Sequence, residues 1–394
     1  MRHLEGKPTP ELITSVEGLK AAVSVLKKEA VIGVDTEFIR ETSFYPRIAL
    51  IQLANHDQTF LVDPTAFEQK ELGVLLDLLS DSKVLKVFHA SHADQECLFW
   101  TYGMVAKPVL DTSIAAALCG MGDSIGLQKL LREVLGVYVS KGRARAKWLA
   151  RPLSPELLHY AEQDVAHLVS LGTKMKEILD GHERWEWALE ESETEPSHFD
   201  ISPKDLATKM AKGAHLEKEQ PVLTELVSWR ESRAKEANLP RGWIADNEVL
   251  IALARSQPKS LEELKTFRGI HSKEVERSGG VILEAIKKGQ KVEVEKAPEP
   301  RKEIPRIDSH AVNLIETYLT FLASRAEIMP RFLMNNHQTT QILYHLDKSK
   351  EQWVEMGILT AQAAKLIGDD LKALFSGKRA LRIENKRLSI VDLD

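Results

Sequence analysis

Ala30-Val31-Ile32-Gly33-Val34-Asp35-Thr36-Glu37-Phe38 opens with six mostly apolar, β-prone residues and then places two acids one residue apart. Residues 30–35 predict a buried strand. Successive side chains on a strand point to opposite faces, so Asp35 and Glu37 project to the same side. Two neighbouring carboxylates repel, and neither ionises cheaply without a cation between them. A divalent metal removes that cost. Two solvated acids at a fraying strand end would read the same way, and the apolar strand that carries this pair leaves both readings open.

Val84 to Phe88 predicts a second short apolar strand, followed by His89-Ala90-Ser91-His92-Ala93-Asp94 and a helix through Cys97-Leu98-Phe99-Trp100. Asp94 then sits near a strand-to-helix junction, a usual place for site residues in α/β folds. An acid in the first turn of a helix is the plainer alternative. Ser154-Pro155-Glu156 is a strong helix start, with serine as N-cap and proline at the first helical position. The helix is expected to run on through Leu157, Leu158, Val165 and Leu168. Tyr160 and Asp164, four apart, share one face of it. His159 also precedes Asp164 at a spacing that a histidine-using nuclease signature would show. A continuous helix turns His159 away, so spacing favours Tyr160 and leaves the choice open.

Together these motifs resemble the DEDD superfamily of 3′-to-5′ exonucleases, in the subclass with tyrosine in its third motif, and within it the bacterial ribonuclease D family. Tyr45-Pro46-Arg47, Leu50-Ile51-Gln52-Leu53, Val109-Leu110-Asp111-Thr112 and Trp148-Leu149-Ala150-Arg151-Pro152-Leu153 carry the likeness further. It implies an α/β, ribonuclease H-like exonuclease domain with a mixed sheet flanked by helices. It implies two divalent ions, Mg²⁺ or Mn²⁺. Asp35 would bridge both. Glu37 and Asp164 would complete the site of the ion that holds the attacking water, Asp94 would support the second ion, and Tyr160 would orient the water.

The chain has 394 residues, enough for two or three domains. Hydrophobic residues make up 43% and charged residues 28%, a soluble globular balance. Two cysteines, Cys97 and Cys119, do not make a disulfide framework. No apolar run is long enough to span a membrane, and the first residues lack a signal-peptide core. A reducing cytoplasmic location is expected. The net charge of −5 argues against a globally basic nucleic-acid binder and leaves room for local basic surface. Lys141, Arg143, Arg145, Lys147 and Arg151 carry no acid among them and precede the third motif. They are expected to approach substrate phosphates, a solvated basic loop being the alternative.

The exonuclease domain is expected over residues 1–190, starting with a helix from Glu11 to Lys28. A hairpin of Ile48–Ala54 and Thr59–Val62 follows. The acidic stretch from Glu183 to Asp200 reads as a linker or hinge. Residues 215–290 resemble the helical HRDC domain in Trp229-Arg230, Pro240, Asp246, Ile251-Ala252, Leu261-Glu262-Glu263-Leu264 and Gly269-Ile270. Gly279-Gly280 reads as a turn. Residues 307–378 repeat that helical plan loosely, as a second, divergent HRDC-like domain, and 379–394 reads as a basic tail that could touch RNA. The function implied is metal-dependent trimming of the 3′ ends of structured RNAs such as tRNA precursors, with no membrane and no obligate protein partner. The alternatives are a DNA 3′-to-5′ exonuclease and a catalytically silent RNA-binding protein. Because every expected ligand precedes residue 165, the first half is expected to hydrolyse short RNA by itself.

Overall fold

The structure, a computed structural model, describes residues 10–139, 146–216, 218–270, 272–292 and 307–393. Its first half runs β1 (Leu12–Ile13), α1 (Val16–Leu26), β2 (Val31–Ile39), β3 (Arg47–Ala54) and β4 (Thr59–Val62). Then come α2 (Gly73–Ser80), β5 (Leu85–Phe88), α3 (His92–Tyr102), β6 (Val109–Asp111), α4 (Thr112–Leu118) and α5 (Leu127–Leu135). Helices α6 (Pro155–Val165), α7 (Leu168–Gly181) and α8 (Trp185–Ser192) complete it. The strands form one mixed sheet in the order β1-β4-β3-β2-β5-β6. β3 lies antiparallel to β2 and β4, whereas the β2–β5, β5–β6 and β1–β4 pairs are parallel.

The apolar run of β2 is explained by burial on both faces. Ile32 and Val34 pack with Leu19 and Val23 of α1, Leu75 of α2 and Cys97 of α3. Gly33 and Asp35 face the other layer, α6 and α7. A Cβ on Gly33 would lie 2.9 Å from Leu168 Cβ and 3.1 Å from Val165 O, and one on Gly172 would lie 2.8 Å from a Val87 methyl. Both contacts are closer than a side chain tolerates, so the α6–α7 junction reaches the sheet only because these two positions are glycine. The first helix starts later than expected. Ser15 caps it by accepting from Gly18 N–H, and Leu12–Ile13 form an edge strand instead.

The expected hinge at 183–200 is partly a packed helix. Trp187 and Ala188 of α8 are buried with α4 and α7, and the acids occupy the opposite side.

The second half is helical: α9 (Pro203–Ala214), α10 (Gln220–Ala237), α11 (Arg241–Ile244), α12 (Asn247–Ser256), α13 (Leu261–Lys265) and α14 (Ser272–Gln290). After residue 307 come α15 (Ser309–Arg325), α16 (Asn336–Tyr344), α17 (Lys350–Glu355) and α18 (Ala361–Phe375). Each segment includes two long helices, α10 and α14 in the first and α15 and α18 in the second, with shorter helices between them. Gly279 and Gly280 lie inside α14 rather than in a turn. A Cβ on Gly279 would sit 2.6 Å from Leu261 Cδ2, so the glycine serves helix–helix approach. Residues 379–392, expected as a basic tail, form a hairpin of β7 (Arg379–Glu384) and β8 (Arg387–Asp392). Its two-residue turn, Asn385-Lys386, has positive φ at both positions, the backbone a tight hairpin needs.

Both helical segments pack against the first half. Phe44, in the loop between β2 and β3, is buried in the core of α9–α14, with the Arg241 guanidinium 4.5 Å from its ring centroid. Tyr45 N–H donates to Asn238 Oδ1 at 3.0 Å. On the other side, α4, α5, α7 and α8 share one continuous apolar core with α15–α18.

Candidate metal centre

β2 delivers Asp35 and Glu37 side by side, and a bulge immediately after Glu37 bends the strand away. α6 delivers Asp164 and, one turn earlier, Tyr160. Ser154 accepts from Leu157 N–H and Pro155 occupies the first turn, so the helix starts where its sequence says. It stops at Val165, before the expected end, and a new helix begins at Leu168. Carboxylate oxygens of Asp35, Glu37 and Asp164 lie within 4.8 Å of one another. Asp94 arrives from the opposite layer on α3. It is 6% exposed and accepts a hydrogen bond from Thr36 Oγ1, between the two strand acids. The four acids line one cavity of about 250 Å³ with Phe38, His89, Leu127, Gln128 and Tyr160.

The turn that leads to Asp94 is held by Asp111. Its carboxylate accepts from Ala90 N–H (2.9 Å), Ser91 N–H (2.8 Å), Ser91 Oγ (3.0 Å) and Ser113 N–H (2.8 Å). Ala90 has φ 60°, a left-handed conformation that this grip sustains. His89 bonds Thr112 Oγ1 through Nδ1 at 2.9 Å, and Thr112 Oγ1 donates to Phe88 O. His89, Leu127 and Gln128 were not legible as cavity residues. Leu127 and Gln128 come from a helix start far along the chain, with no local signal.

The electrostatics of the cluster are those of anions without a counter-charge. Burial, then the charges of Asp94, Asp164 and Glu37, hold the Asp35 carboxyl well above the usual range. Burial and the charges of Asp164 and Asp94 push Glu37 to about 8. Burial raises Asp94 to about 7 against the pull of the Thr36 hydrogen bond. Burial raises Asp164 to about 6, opposed by a hydrogen bond from Tyr160. Three crowded oxygen donors with a fourth carboxylate behind them fit a hard divalent ion.

A pH dependence follows. Between the ordinary carboxylate range and these raised values of about 6 to 8, the folded chain binds more protons than the unfolded one. Stability therefore falls as pH rises through that window. In EDTA the thermal midpoint is expected to drop from about pH 5 to about pH 8, and saturating Mg²⁺ or Mn²⁺ to reduce the drop. A midpoint in EDTA independent of pH would contradict the crowding.

Tyr160 and His159 diverge on α6. The Tyr160 hydroxyl donates to Asp164. His159 is buried, with Nδ1 3.4 Å from Glu162 Oε2, and Glu162 in turn meets Thr59 of β4. Of the expected phosphate-contacting cations, Lys141, Arg143 and Arg145 lie outside the described residues, and Lys147 is exposed. Arg151 turns inward. Its guanidinium holds both oxygens of the buried Asp63 and donates to the carbonyls of Ala49 (2.7 Å) and Trp148 (2.7 Å). Burial pushes the Asp63 carboxyl up, but Arg151 and Thr65 outweigh it and hold it below its usual value. This clamp ties the segment before α6 to the sheet and seats the Trp148 ring 6.0 Å from that of Tyr160. Arg151→Ala is expected to cost roughly 3 kcal/mol in urea unfolding, because it strands a buried carboxylate. The salt dependence of RNA affinity should stay the same. A stable variant with a shallower salt slope would make Arg151 a phosphate contact instead.

A family model described as a 3′-5′ exonuclease matches residues 10–180, and an HRDC domain model matches residues 219–286. Ribonuclease D of Bartonella henselae is 30% identical over 389 residues, 97% of this chain and 94% of that protein. Ribonuclease D of Gluconacetobacter diazotrophicus is 30% identical over 390 residues, covering 97% of each. The crystal structure of Escherichia coli RNase D, an exoribonuclease involved in structured RNA processing, superposes with a TM-score of 0.78 at 25% identity. The match covers 94% of this chain and 99% of that one.

Proposed function

The chain belongs to the ribonuclease D family of 3′-to-5′ exoribonucleases, and we propose that it trims structured RNAs, tRNA precursors among them, at a site where Asp35, Glu37, Asp94 and Asp164 hold two divalent ions, Mg²⁺ or Mn²⁺. Divalent-metal dependence comes with the exonuclease family. The observation that carries the finer reading is the meeting of three carboxylates from β2 and α6 within 4.8 Å, with Asp94 tied to Thr36 behind them. Ions bound there would supply Lewis acidity, polarising an attacking water and offsetting charge on the departing 3′ oxygen. Asp35, which lines the cavity with Glu37 and Asp164, would help hold the ions. The Tyr160 hydroxyl donates its hydrogen bond to Asp164, which leaves its oxygen lone pairs to accept from the attacking water and aim it at phosphorus. The P–O3′ bond then breaks, releasing a nucleoside 5′-monophosphate and a chain shortened by one residue with a free 3′ hydroxyl. No covalent enzyme intermediate is needed. The helical segments would hold the RNA body while the 3′ end enters the cavity. No helix among the described residues is long and apolar enough to cross a membrane.

The test is hydrolysis of 3′- and 5′-labelled RNA and DNA oligonucleotides with and without divalent metal. Mononucleotides are expected from the 3′ end, with loss of activity in EDTA and slowing by a 3′-terminal phosphate. Early release of the 5′ label as mononucleotide would refute the polarity, and equal rates on DNA would favour a DNA exonuclease. Within this reading, Tyr160→Phe should lower single-turnover rates about 10²-fold with little change in stability, the lower end of what a positioned proton-transfer partner contributes. His159→Ala should leave turnover almost unchanged. The reverse pattern would move the water-orienting role to the histidine.

A further inference from the structure

Gln52 is fully buried on β3, and among the described residues neither its Nε2 nor its Oε1 has a hydrogen-bond partner. A carboxamide brings two N–H donors and a carbonyl acceptor, and burying them unpaired is unfavourable. The register of the sheet says where the group sits. Gln52 is the direct cross-strand partner of Asp35, and residues opposed in this way share a face, with Cβ atoms roughly 4.5–5.5 Å apart. On that face its neighbours along β3 are Leu50 and Ala54, and its neighbour on β4 is Leu61. α6 closes over them, with Leu158 and Ala161 packed on Leu50 and Leu61. Of the four positions around Gln52 in the sheet, Asp35 alone carries a polar side chain.

From this juxtaposition we propose that Gln52 is a positioning residue of the metal centre: its Nε2–H donates to the Asp35 carboxylate in the cation-loaded site and fixes the rotamer in which Asp35 presents oxygen to both ions. A carboxylate that bridges two cations has lone pairs to spare for a donor from behind. Such a bond keeps the short side chain from swinging away and favours its charged form. The sequence places this donor where no solvent can substitute for it. The inference rests on Asp35 being a ligand, and the test separates the two.

Gln52→Leu and Gln52→Met keep the volume and delete the amide. Each is read by its thermal midpoint in EDTA, by Mn²⁺ binding in isothermal titration calorimetry, and by kcat and KM on a 5′-labelled RNA oligonucleotide. The expected result is a midpoint in EDTA equal to or above that of the parent, since an unpaired buried amide has been removed. Mn²⁺ affinity and kcat at subsaturating metal should fall 10–100-fold, with KM for RNA unchanged. In an Asp35→Ala background the effect on Mn²⁺ affinity should vanish, because the amide would have lost its acceptor. Folded variants with parental Mn²⁺ affinity and kcat would overturn the proposal and make Gln52 a packing residue. So would variants of both kinds that unfold early in EDTA, since the amide would then be serving the fold. If Asp35→Asn itself binds Mn²⁺ and turns over like the parent, the reading of the metal centre fails, whatever Gln52 does.

Discussion

Asp35→Asn is expected to leave a folded protein that hydrolyses RNA on the order of 10⁴-fold more slowly, the rate equivalent of the several kcal/mol that metal-assisted charge stabilisation supplies. The amide keeps the shape of the side chain and removes the charge that lies beside Glu37 and Asp164. The same substitution removes one ionisable group from a crowd in which burial and mutual repulsion disfavour the charged carboxylates. In EDTA, above about pH 7, its thermal midpoint should therefore equal or exceed that of the parent. Loss of activity through misfolding would move the midpoint the other way. Single-turnover hydrolysis at saturating Mg²⁺, with thermal unfolding in EDTA, checks both halves. Near-normal turnover in a folded variant would sink the metal reading.

The acids of this site were legible because each belongs to a local pattern: Asp-x-Glu on an apolar strand, Asp94 after a strand end, and Tyr160 and Asp164 one turn apart behind a serine-proline start. What brings them together was not legible. Gly33 and Gly172 let α6 and α7 approach the sheet, yet an isolated glycine in a strand or helix reads only as a weak point. Asp111 is visible as part of a motif, but its grip on the turn at 90–91 depends on β5 and β6 lying side by side. Arg151 reads as a phosphate contact from its basic neighbours, and only the folded chain shows Asp63, just after β4, waiting for it. Gln52 is a polar residue in an apolar strand. Its meaning comes from the register with Asp35, which one sequence cannot give.

Fold class was legible for a similar reason. Period-2 and period-3.6 patterns, caps and turn residues are local and gave individual strands and helices, and the family resemblance implied the mixed sheet and the HRDC plan. The errors fall where tertiary contact overrides composition. An acidic stretch reads as a hinge, but Trp187 and Ala188 give α8 an apolar side that α4 and α7 bury. Gly279-Gly280 reads as a turn, but Leu261 needs the space inside a helix. A run of cations reads as a tail, but Leu381 and Ile390 pack on the core near α18 and hold a hairpin.

The expectation that the first half acts alone meets the same difficulty. A chain ending at residue 306 should fail to accumulate as a folded nuclease, even though every proposed ligand is retained. The reason is the surface uncovered. Ala115–Leu118 of α4, Leu130 and Leu131 of α5 and Trp187 of α8 share one core with Ile315, Tyr318, Leu319 and Leu322 of α15. Met329 N–H donates to Ala117 O at 2.9 Å, and the Trp187 and Phe332 rings pack edge to face at 5.8 Å. The buried Arg184 guanidinium donates to Leu118 O on one side and to Ala326 O and Glu327 O on the other. Truncation would strip two of those acceptors and leave a cation facing an apolar surface. Each large side chain uncovered forfeits about 1.5–3 kcal/mol. Three or four of them match the roughly 5–15 kcal/mol that holds a whole domain together. Thermal unfolding and size-exclusion chromatography of the truncated chain, with activity on a short single-stranded RNA, test this. A monomeric product with a parental midpoint and parental activity would show that the nuclease core closes without α15–α18. An aggregated or early-melting product would make these helices part of the catalytic half's own core, so that their effect on structured RNA has to be read from point substitutions on their exposed faces.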